Sequence, residues 1–125
     1  GSLYVDRYGL DVVCLRIGSF GERPANRRHL ATWLSPGDAV RLVQAGLTAP
    51  GPGFAVVYGV SENTRGWWDL STARALGYAP QDDAEAYAAD VLAVPETAED
   101  RRDDSVVGGM FVDPRYDVGY GEEQQ

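Results

Sequence analysis

Lysine is absent from this sequence, and all eleven basic residues are arginine. The absence excludes a Schiff-base lysine, a phosphate-loop lysine and a tyrosine-lysine catalytic pair, because each of these needs a primary amine. Arginine keeps its charge and binds anions through a planar fork of donors instead. Any recognition of an acidic ligand by this chain therefore depends on guanidinium groups.

Cysteine and long apolar runs are also scarce. Cys14 is the single cysteine, which excludes an internal disulfide and any metal site built from several cysteines. No run approaches the ~20 apolar residues of a membrane-spanning helix, and the start, GSLYVDRYG, lacks the pattern of a signal peptide. These features predict a cytoplasmic protein with no membrane partner, in which Cys14 is a small apolar strand residue.

The net charge of -8 disfavours nucleic acid as a partner, because phosphate binding needs clustered cations. Residues 95–125 hold nine of the nineteen acidic residues and three of the eleven basic ones. This distribution, together with the loss of periodicity after Val94, predicts a body over residues 3–93 and an acidic, disordered tail over residues 94–125. Within the tail, Ser105–Val112 is a weak candidate strand.

The body begins with a pattern of the α/β class. Leu3–Tyr8 is predicted to end a helix at Gly9, and Leu10–Ile17 is a branched apolar run typical of a strand buried on both faces. A second such run is Phe54–Val60. Between them, Ser35-Pro36-Gly37-Asp38 has the residues of a helix start, with Ser35 as the cap. The order predicts one βαβ crossover of a parallel sheet.

The helix that begins at Pro36 is predicted to run to about Leu47 and to place one apolar face in the core. The residues of that face are Ala39, Val40, Leu42, Val43 and Leu47. Shorter helices are predicted at His29–Leu34, at Ser71–Leu76 before Gly77, and from Asp82 or Asp83 to about Leu92.

Several stretches resemble uronate dehydrogenases of the NAD-dependent epimerase/dehydratase family, which are extended short-chain dehydrogenases. They are VVCLRIGSFGERPANRRHLATW, WLSPGDAVRLVQAGLTAP, FAVVYGVSENTRGWWDL and RALGYAPQDDAEAYA. The resemblance covers residues 3–89 and does not reach the tail. It implies the C-terminal part of a Rossmann-like parallel sheet with flanking helices, without the N-terminal half that binds the dinucleotide.

The resemblance also assigns a site. Ile17, Gly18 and Ser19 fall where the family places a strand end beside the nicotinamide of NAD, and Ser19 is expected to bind the sugar acid as well. Arg28 falls where these enzymes bind the substrate carboxylate, and a guanidinium matches a carboxylate through two parallel hydrogen bonds. No metal site is expected.

The reaction implied for a whole enzyme is hydride transfer from the anomeric carbon of a uronic acid to NAD, which yields an aldarolactone. The glycine-rich phosphate loop and the YxxxK pair are absent from this sequence, since Tyr8 and not lysine follows Tyr4 by four positions. We therefore expect no catalytic residues here and no activity from this chain alone.

Other residues suggest chemistry less strongly. Trp67-Trp68 can stack on a sugar, although packing of one indole in the core is the favoured interpretation. His29 has no evident partner for acid-base catalysis and is interpreted as structural. The acidic residues at 82, 83 and 85 are explained by helix capping better than by a metal.

Two alternative functions remain open from the sequence. A nucleotide-sugar epimerase or dehydratase shares the sheet, but the short spacing from Ser19 to Pro36 leaves little room for a nucleotide-binding lobe. A non-catalytic interaction module is the other, in which the chain completes its sheet with a partner chain or by forming a homo-oligomer.

Overall fold

A computed structural model describes residues 7–96 and residue 98. The chain alternates short strands with helices, as expected for the α/β class. The elements in order are β1 (Val12–Ile17), β2 (Ser19–Phe20), α1 (His29–Thr32), β3 (Trp33–Leu34), α2 (Pro36–Thr48), β4 (Phe54–Gly59), α3 (Ser71–Ala75), a 3₁₀ helix (Ala84–Tyr87) and α4 (Ala88–Leu92).

The predicted βαβ crossover is confirmed. β1 and β4 pair in parallel, with Val12 opposite Phe54 and Ile17 opposite Gly59, and α2 lies between them in the chain. A second parallel pair, β2 with β3, was not predicted because each strand has only two residues. It places Ser19 opposite Trp33.

The start of α2 follows from its sequence. Ser35 is the N-cap, and its hydroxyl accepts a hydrogen bond from the backbone amide of Asp38 at 3.0 Å. Pro36 occupies the first turn, where its missing amide proton leaves no helical bond unmade. The capping prediction is therefore confirmed. The helix ends at Thr48, one residue beyond the expected end.

The predicted core face of α2 is wrong for most of its residues. Leu42 is buried, but Val40, Val43 and Leu47 are exposed, and Leu47 is 82% exposed. The buried positions of α2 are Asp38, Leu42 and Ala45. The apolar stripe on this helix is broader than the surface that the described residues cover.

The strands are also less buried than predicted. In β1 the last two residues, Arg16 and Ile17, are exposed, and in β4 Phe54 and Val56 are exposed. Cys14 is half-buried on β1. Burial on both faces, which the branched apolar runs predicted, is therefore not what the sheet has.

Two clusters of buried apolar residues form the interior of the described part of the chain. The first joins Leu42 and Ala45 of α2 to Val57 of β4, and includes Ala73 and Tyr78. The second surrounds Trp33 with residues from α1, the 3₁₀ helix and α4. Its buried members are Leu30, Trp33, Ala84, Ala88 and Val91. The second cluster holds the segment just after Arg28 in place.

A buried carboxylate links α2 to the loop after α3. Asp38 accepts hydrogen bonds from the backbone amides of Gln81 at 2.8 Å and Asp82 at 3.0 Å, and from Arg41 at 2.7 Å. Burial by itself would raise the pKa of Asp38, but the bonds from Ser61, Gln81, Asp82 and Arg41 outweigh it and lower that pKa. Asp38 is therefore a charged anchor for α2.

The remaining sequence predictions concern ends and caps. Gly9 and Gly77 have φ angles of 66° and 103°, as expected for glycines that end helices. Leu3–Asp6 lie outside the described residues, whereas Arg7 and Tyr8 are helical. Asp83 caps the 3₁₀ helix that precedes α4, which replaces the single helix that was predicted.

The predicted tail lies outside the described residues except for Val94–Glu96 and Ala98. Ser105–Val112 also lies outside them. Among residues 7–96 and 98, no helix has the length and apolar composition that crossing a membrane would require.

Candidate functional site

The carboxyl ends of β1 and β4 lie side by side, because their parallel register pairs Ile17 with Gly59. The amide of Gly18 continues this pairing and donates to the carbonyl of Gly59 at 2.9 Å. In open α/β sheets, ligands bind beyond the carboxyl ends of the strands. The predicted residues Ile17, Gly18 and Ser19 therefore lie at the edge where a ligand site is expected.

Gly18 is required by packing. A Cβ atom at this position would lie 2.2 Å from the carbonyl oxygen of Thr32 and 2.8 Å from a methyl group of Val60. Only glycine allows the chain after β1 to approach Thr32 so closely. Its predicted place beside a nicotinamide stays a prediction, as does that of Ile17, whose side chain is exposed.

Ser19 is half-buried, and its hydroxyl lies 2.9 Å from the hydroxyl of Thr32. The β2–β3 pairing fixes its backbone, because Ser19 is opposite Trp33. The backbone and the side chain of Ser19 are thus both held by the segment that follows Arg28.

Arg28 is half-buried at the N-terminal end of α1. Its carbonyl oxygen accepts hydrogen bonds from the amide of Ala31 at 3.0 Å and from the hydroxyl of Thr32 at 3.2 Å. Thr32 therefore connects Ser19 with Arg28. The connection runs through the backbone of Arg28, so the role of its guanidinium in binding a carboxylate stays a prediction.

Thr32 was not identified from the sequence. It is buried and contacts Ser19 and Arg28 through its hydroxyl, and its carbonyl oxygen forces residue 18 to be glycine. One signal was available: a threonine on a helix commonly bonds to the carbonyl four residues before it, which here is Arg28. The contact with Ser19 depends on tertiary structure and had no local signal.

His29 shapes the loop before α1. Its Nδ1 atom accepts a hydrogen bond from the amide of Ala25 at 2.9 Å, and its own amide donates to the side chain of Asn26 at 3.1 Å. Burial lowers the pKa of His29, and the charge of Arg28 lowers it further. A neutral ring that accepts a backbone bond agrees with the structural interpretation.

Asn63 holds the segment that carries Thr32. Its side-chain amide donates to the carbonyls of Ala31 at 3.3 Å and Trp33 at 2.9 Å, and its side-chain oxygen accepts from the amide of Ala84 at 3.0 Å. One amide group thus joins α1 and β3 to the start of the 3₁₀ helix. The site segment is therefore tied through Asn63 to the start of the 3₁₀ helix.

The two tryptophans differ. Trp67 is exposed, whereas Trp68 is half-buried against Tyr58, with 5.0 Å between the ring centroids. Trp68 thus packs against the sheet, but it is half-buried and belongs to neither of the two core clusters. Its ring also lines a cleft of about 340 Å³ beyond the end of β4, together with residues from Val60 to Arg74.

Another cleft, of about 320 Å³, lies between β1 and α2 and is lined by Val13, Leu15, Val43 and Leu47 among others. Neither Ser19 nor Arg28 lines either of these two clefts. The predicted ligand residues therefore lie outside these two cavities.

The carboxylates at 82, 83 and 85 have structural contacts. Asp83 caps the 3₁₀ helix and accepts two hydrogen bonds from Thr64, Asp82 accepts from Ser35, and Glu85 pairs with Arg65 at 2.8 Å. Capping by Asp83 is confirmed. In the part of the chain that the structure describes, no group of three or more histidine, cysteine, aspartate or glutamate residues is arranged to hold a metal.

Comparison with known proteins agrees with the resemblance. A uronate dehydrogenase from Pseudomonas putida is 48% identical to this chain over 112 residues, which cover 88% of the chain and 41% of that relative. The chain is a homologue of uronate dehydrogenases. It spans about two fifths of the length of the curated relatives it matches, in agreement with the predicted partial correspondence. No protein-family profile matches the chain.

The solved structures of this family confirm the fold class. The crystal structure of uronate dehydrogenase from Agrobacterium tumefaciens has a TM-score of 0.82 at 38% identity, and the match covers 89% of this chain and 42% of that one. A mutant of the same enzyme complexed with NAD matches with the same score, identity and coverage. Homologues of this chain are thus NAD-dependent dehydrogenases.

Proposed function

We propose that this chain is the substrate-binding part of an NAD-dependent uronate dehydrogenase. The observation that carries the proposal is the junction of Ser19 and Arg28 through Thr32, at the carboxyl end of a parallel sheet, in a homologue of uronate dehydrogenases. In the whole enzyme, the anomeric carbon of a uronic acid loses a hydride to NAD and its hydroxyl loses a proton, which gives an aldarolactone.

Each residue has a part in this proposal. The guanidinium of Arg28 binds the carboxylate, since a charged fork of donors gives strong and directional hydrogen bonds. The hydroxyl of Ser19 binds the sugar, and Ile17, Gly18 and Ser19 lie beside the nicotinamide. NAD supplies the hydride acceptor when bound. With no glycine-rich phosphate loop in the sequence, the residues of this chain suit only the nicotinamide end.

The proposal predicts recognition without turnover. The sequence contains neither lysine nor a YxxxK pair, so nothing in it can take the hydroxyl proton as the family does. We expect the purified chain to form no NADH from glucuronate or galacturonate. Turnover by the chain alone would show that this view of the catalytic pair is mistaken.

Carboxylate recognition is tested by an NMR titration with glucuronate, using neutral glucose as the control ligand. Arg28→Gln is expected to weaken glucuronate binding by about tenfold or more, because a hydrogen bond to a charged group is typically worth ~1.5 to 3 kcal/mol. Arg23→Gln makes the same change of charge at an exposed position, so its affinity should stay within about twofold. Equal losses in both variants, or equal binding of glucose, would contradict the assignment.

A second candidate function is association with another polypeptide, either a complementing chain or a second copy. Exposed apolar residues favour it: Phe54 and Val56 on β4, and Val43 and Leu47 on α2. Light scattering after size-exclusion chromatography is expected to give a mass above that of one chain. A monomer at all accessible concentrations would count against self-association. The single cysteine supports a cytoplasmic location, which we include in the proposal.

A further inference from the structure

The hydroxyl of Thr32 lies between two polar groups that the proposed function uses. It is 2.9 Å from the hydroxyl of Ser19 and 3.2 Å from the carbonyl oxygen of Arg28. Thr32 itself is buried. Its hydroxyl is therefore shielded from water and makes its hydrogen bonds with protein groups.

The number of protons fixes the direction of both hydrogen bonds. A carbonyl oxygen only accepts, so Thr32 is the donor to Arg28. A hydroxyl carries a single proton, which means that Thr32 has none left for Ser19. Ser19 is then left as the donor in the bond between the two hydroxyls, a direction that the positions of the two oxygen atoms do not by themselves set.

We infer that Thr32 is a positioning residue that holds the Ser19 hydroxyl as a hydrogen-bond acceptor toward the ligand. This inference rests on the proposed function. With its proton committed to Thr32, the Ser19 oxygen offers lone pairs, which bind a neutral donor such as a hydroxyl of the sugar. A carboxylate has no proton to donate, so it is disfavoured at Ser19 and directed to Arg28.

The arrangement exceeds what packing alone requires. The carbonyl of Arg28 already accepts from the amide of Ala31 at 3.0 Å, so it does not need the Thr32 hydroxyl to be satisfied. A valine has nearly the volume of threonine and the same branched shape. If Thr32 served only to fill space, valine would replace it with little consequence.

A double-mutant cycle tests whether Thr32 acts through Ser19. We expect Thr32→Val to weaken glucuronate binding by about three- to tenfold, the range of one neutral hydrogen bond, and Thr32→Ser to restore it. In a Ser19→Ala background, Thr32→Val should cause no further loss. An equal loss in both backgrounds would overturn the inference, because the effect would then not pass through Ser19.

A second measurement decides the proton direction without any ligand. In a neutron crystal structure of the deuterated chain, we expect one deuterium on the Ser19 oxygen directed at Thr32, and one on the Thr32 oxygen directed at Arg28. A deuterium on Thr32 directed at Ser19 would overturn the inference. If the deuterium positions are as expected and the unaltered chain still does not bind glucuronate, the proposed function fails and the hydroxyl orientation stands.

Thermal unfolding of each variant separates loss of binding from loss of structure. Thr32→Val is expected to melt close to the unaltered chain, because the carbonyl of Arg28 keeps its bond from Ala31 and the hydroxyl of Ser19 is only half-buried. If Thr32→Val unfolds, Thr32→Ser with Ser19→Ala completes the comparison. In that case Thr32→Ser must bind as the unaltered chain does and Ser19→Ala must bind more weakly; any other pattern contradicts the inference.

Discussion

The two faces of the β1–β4 sheet differ in what covers them. On one face, Val57 is 2% exposed and packs with Leu42 of α2. On the other face, Phe54 is 43% exposed and Val56 is also exposed, and both are apolar. At the end of this second face, Tyr58 contacts the ring of Trp68 and the guanidinium of Arg16.

This difference shows which part of the fold the chain completes by itself. Sheets in α/β proteins usually bury both faces beneath helices. Here α2 covers one face, and the opposite face keeps an apolar surface of the kind that marks an interaction site. That surface agrees with the finding that the chain spans about two fifths of the length of its relatives.

Introducing a charge on each face should give the largest contrast. Val57→Lys places an unpaired ammonium in the core beneath α2, which costs several kcal/mol and is expected to unfold a domain of ordinary stability. Phe54→Lys places the same group in water and should change the free energy of unfolding by less than about 1 kcal/mol. Urea unfolding followed by circular dichroism measures both.

If both lysine variants lost the same stability, the two faces would be equally covered and the comparison would be wrong. Val57→Ala serves as a control for truncation alone, and it should cost less than Val57→Lys because it buries no charge.

Adding a methyl group at the ends of the two strands should give an intermediate contrast. Gly18→Ala pushes a carbon against the backbone oxygen of Thr32, which cannot move without displacing α1, so we expect a loss of about 2 kcal/mol or more. In Gly59→Ala the new carbon meets the end of the Leu42 side chain at 2.7 Å, and that side chain can rotate. Gly59→Ala should therefore lose less stability than Gly18→Ala, and thermal melts of the two variants measure this.

The strand-end prediction also has a structural readout. Gly18→Ala should shift the backbone resonances of Ser19 and Thr32, whereas Gly59→Ala should leave them in place. The reverse pattern would show that the close approach at Thr32 is not what selects glycine.

The anchor of α2 gives an effect that depends on pH. The pKa of Asp38 is lowered in the folded state, so its carboxylate stabilises the fold above the ordinary aspartate pKa of about 4. This contribution declines below that value and is lost once the pH falls beneath the lowered folded pKa. Asp38→Asn should therefore lower the free energy of unfolding at neutral pH. It should also make the further decrease in acid smaller.

Asp90→Asn is the matched control, because Asp90 is exposed and its contact with Arg23 is 3.5 Å long. From about pH 7 to about pH 2, its free energy of unfolding should follow that of the unaltered chain. An acid loss that persists unchanged in Asp38→Asn would assign the effect to other carboxylates.

Features that depend on neighbours in sequence were predictable, and so was one long-range pairing. The cap at Ser35, the cap at Asp83 and the glycine at 77 follow from short patterns whose partners lie within a few residues. The parallel pairing of β1 with β4 followed from two apolar runs separated by a helix.

Apart from the β1–β4 pairing, the features that depend on distant partners were not predictable. The apolar stripe of α2 showed which residues are hydrophobic, but periodicity does not reveal whether a partner covers them, and Val43 and Leu47 are exposed. The site residues Ser19 and Arg28 came from the family resemblance alone. Thr32, which joins them, required knowing that residues 19 and 32 meet.

The unshifted register of β1 and β4 has a consequence for how this chain tolerates insertions. Every residue of β1 faces its partner on β4, so the two strands terminate at the same height. The connector after α2 reaches the opposite end of the sheet, where Gly51 and Gly53 turn with positive φ angles. Extra residues added in that connector would lengthen a turn far from Ser19. The arrangement at the carboxyl ends of the two strands would stay the same.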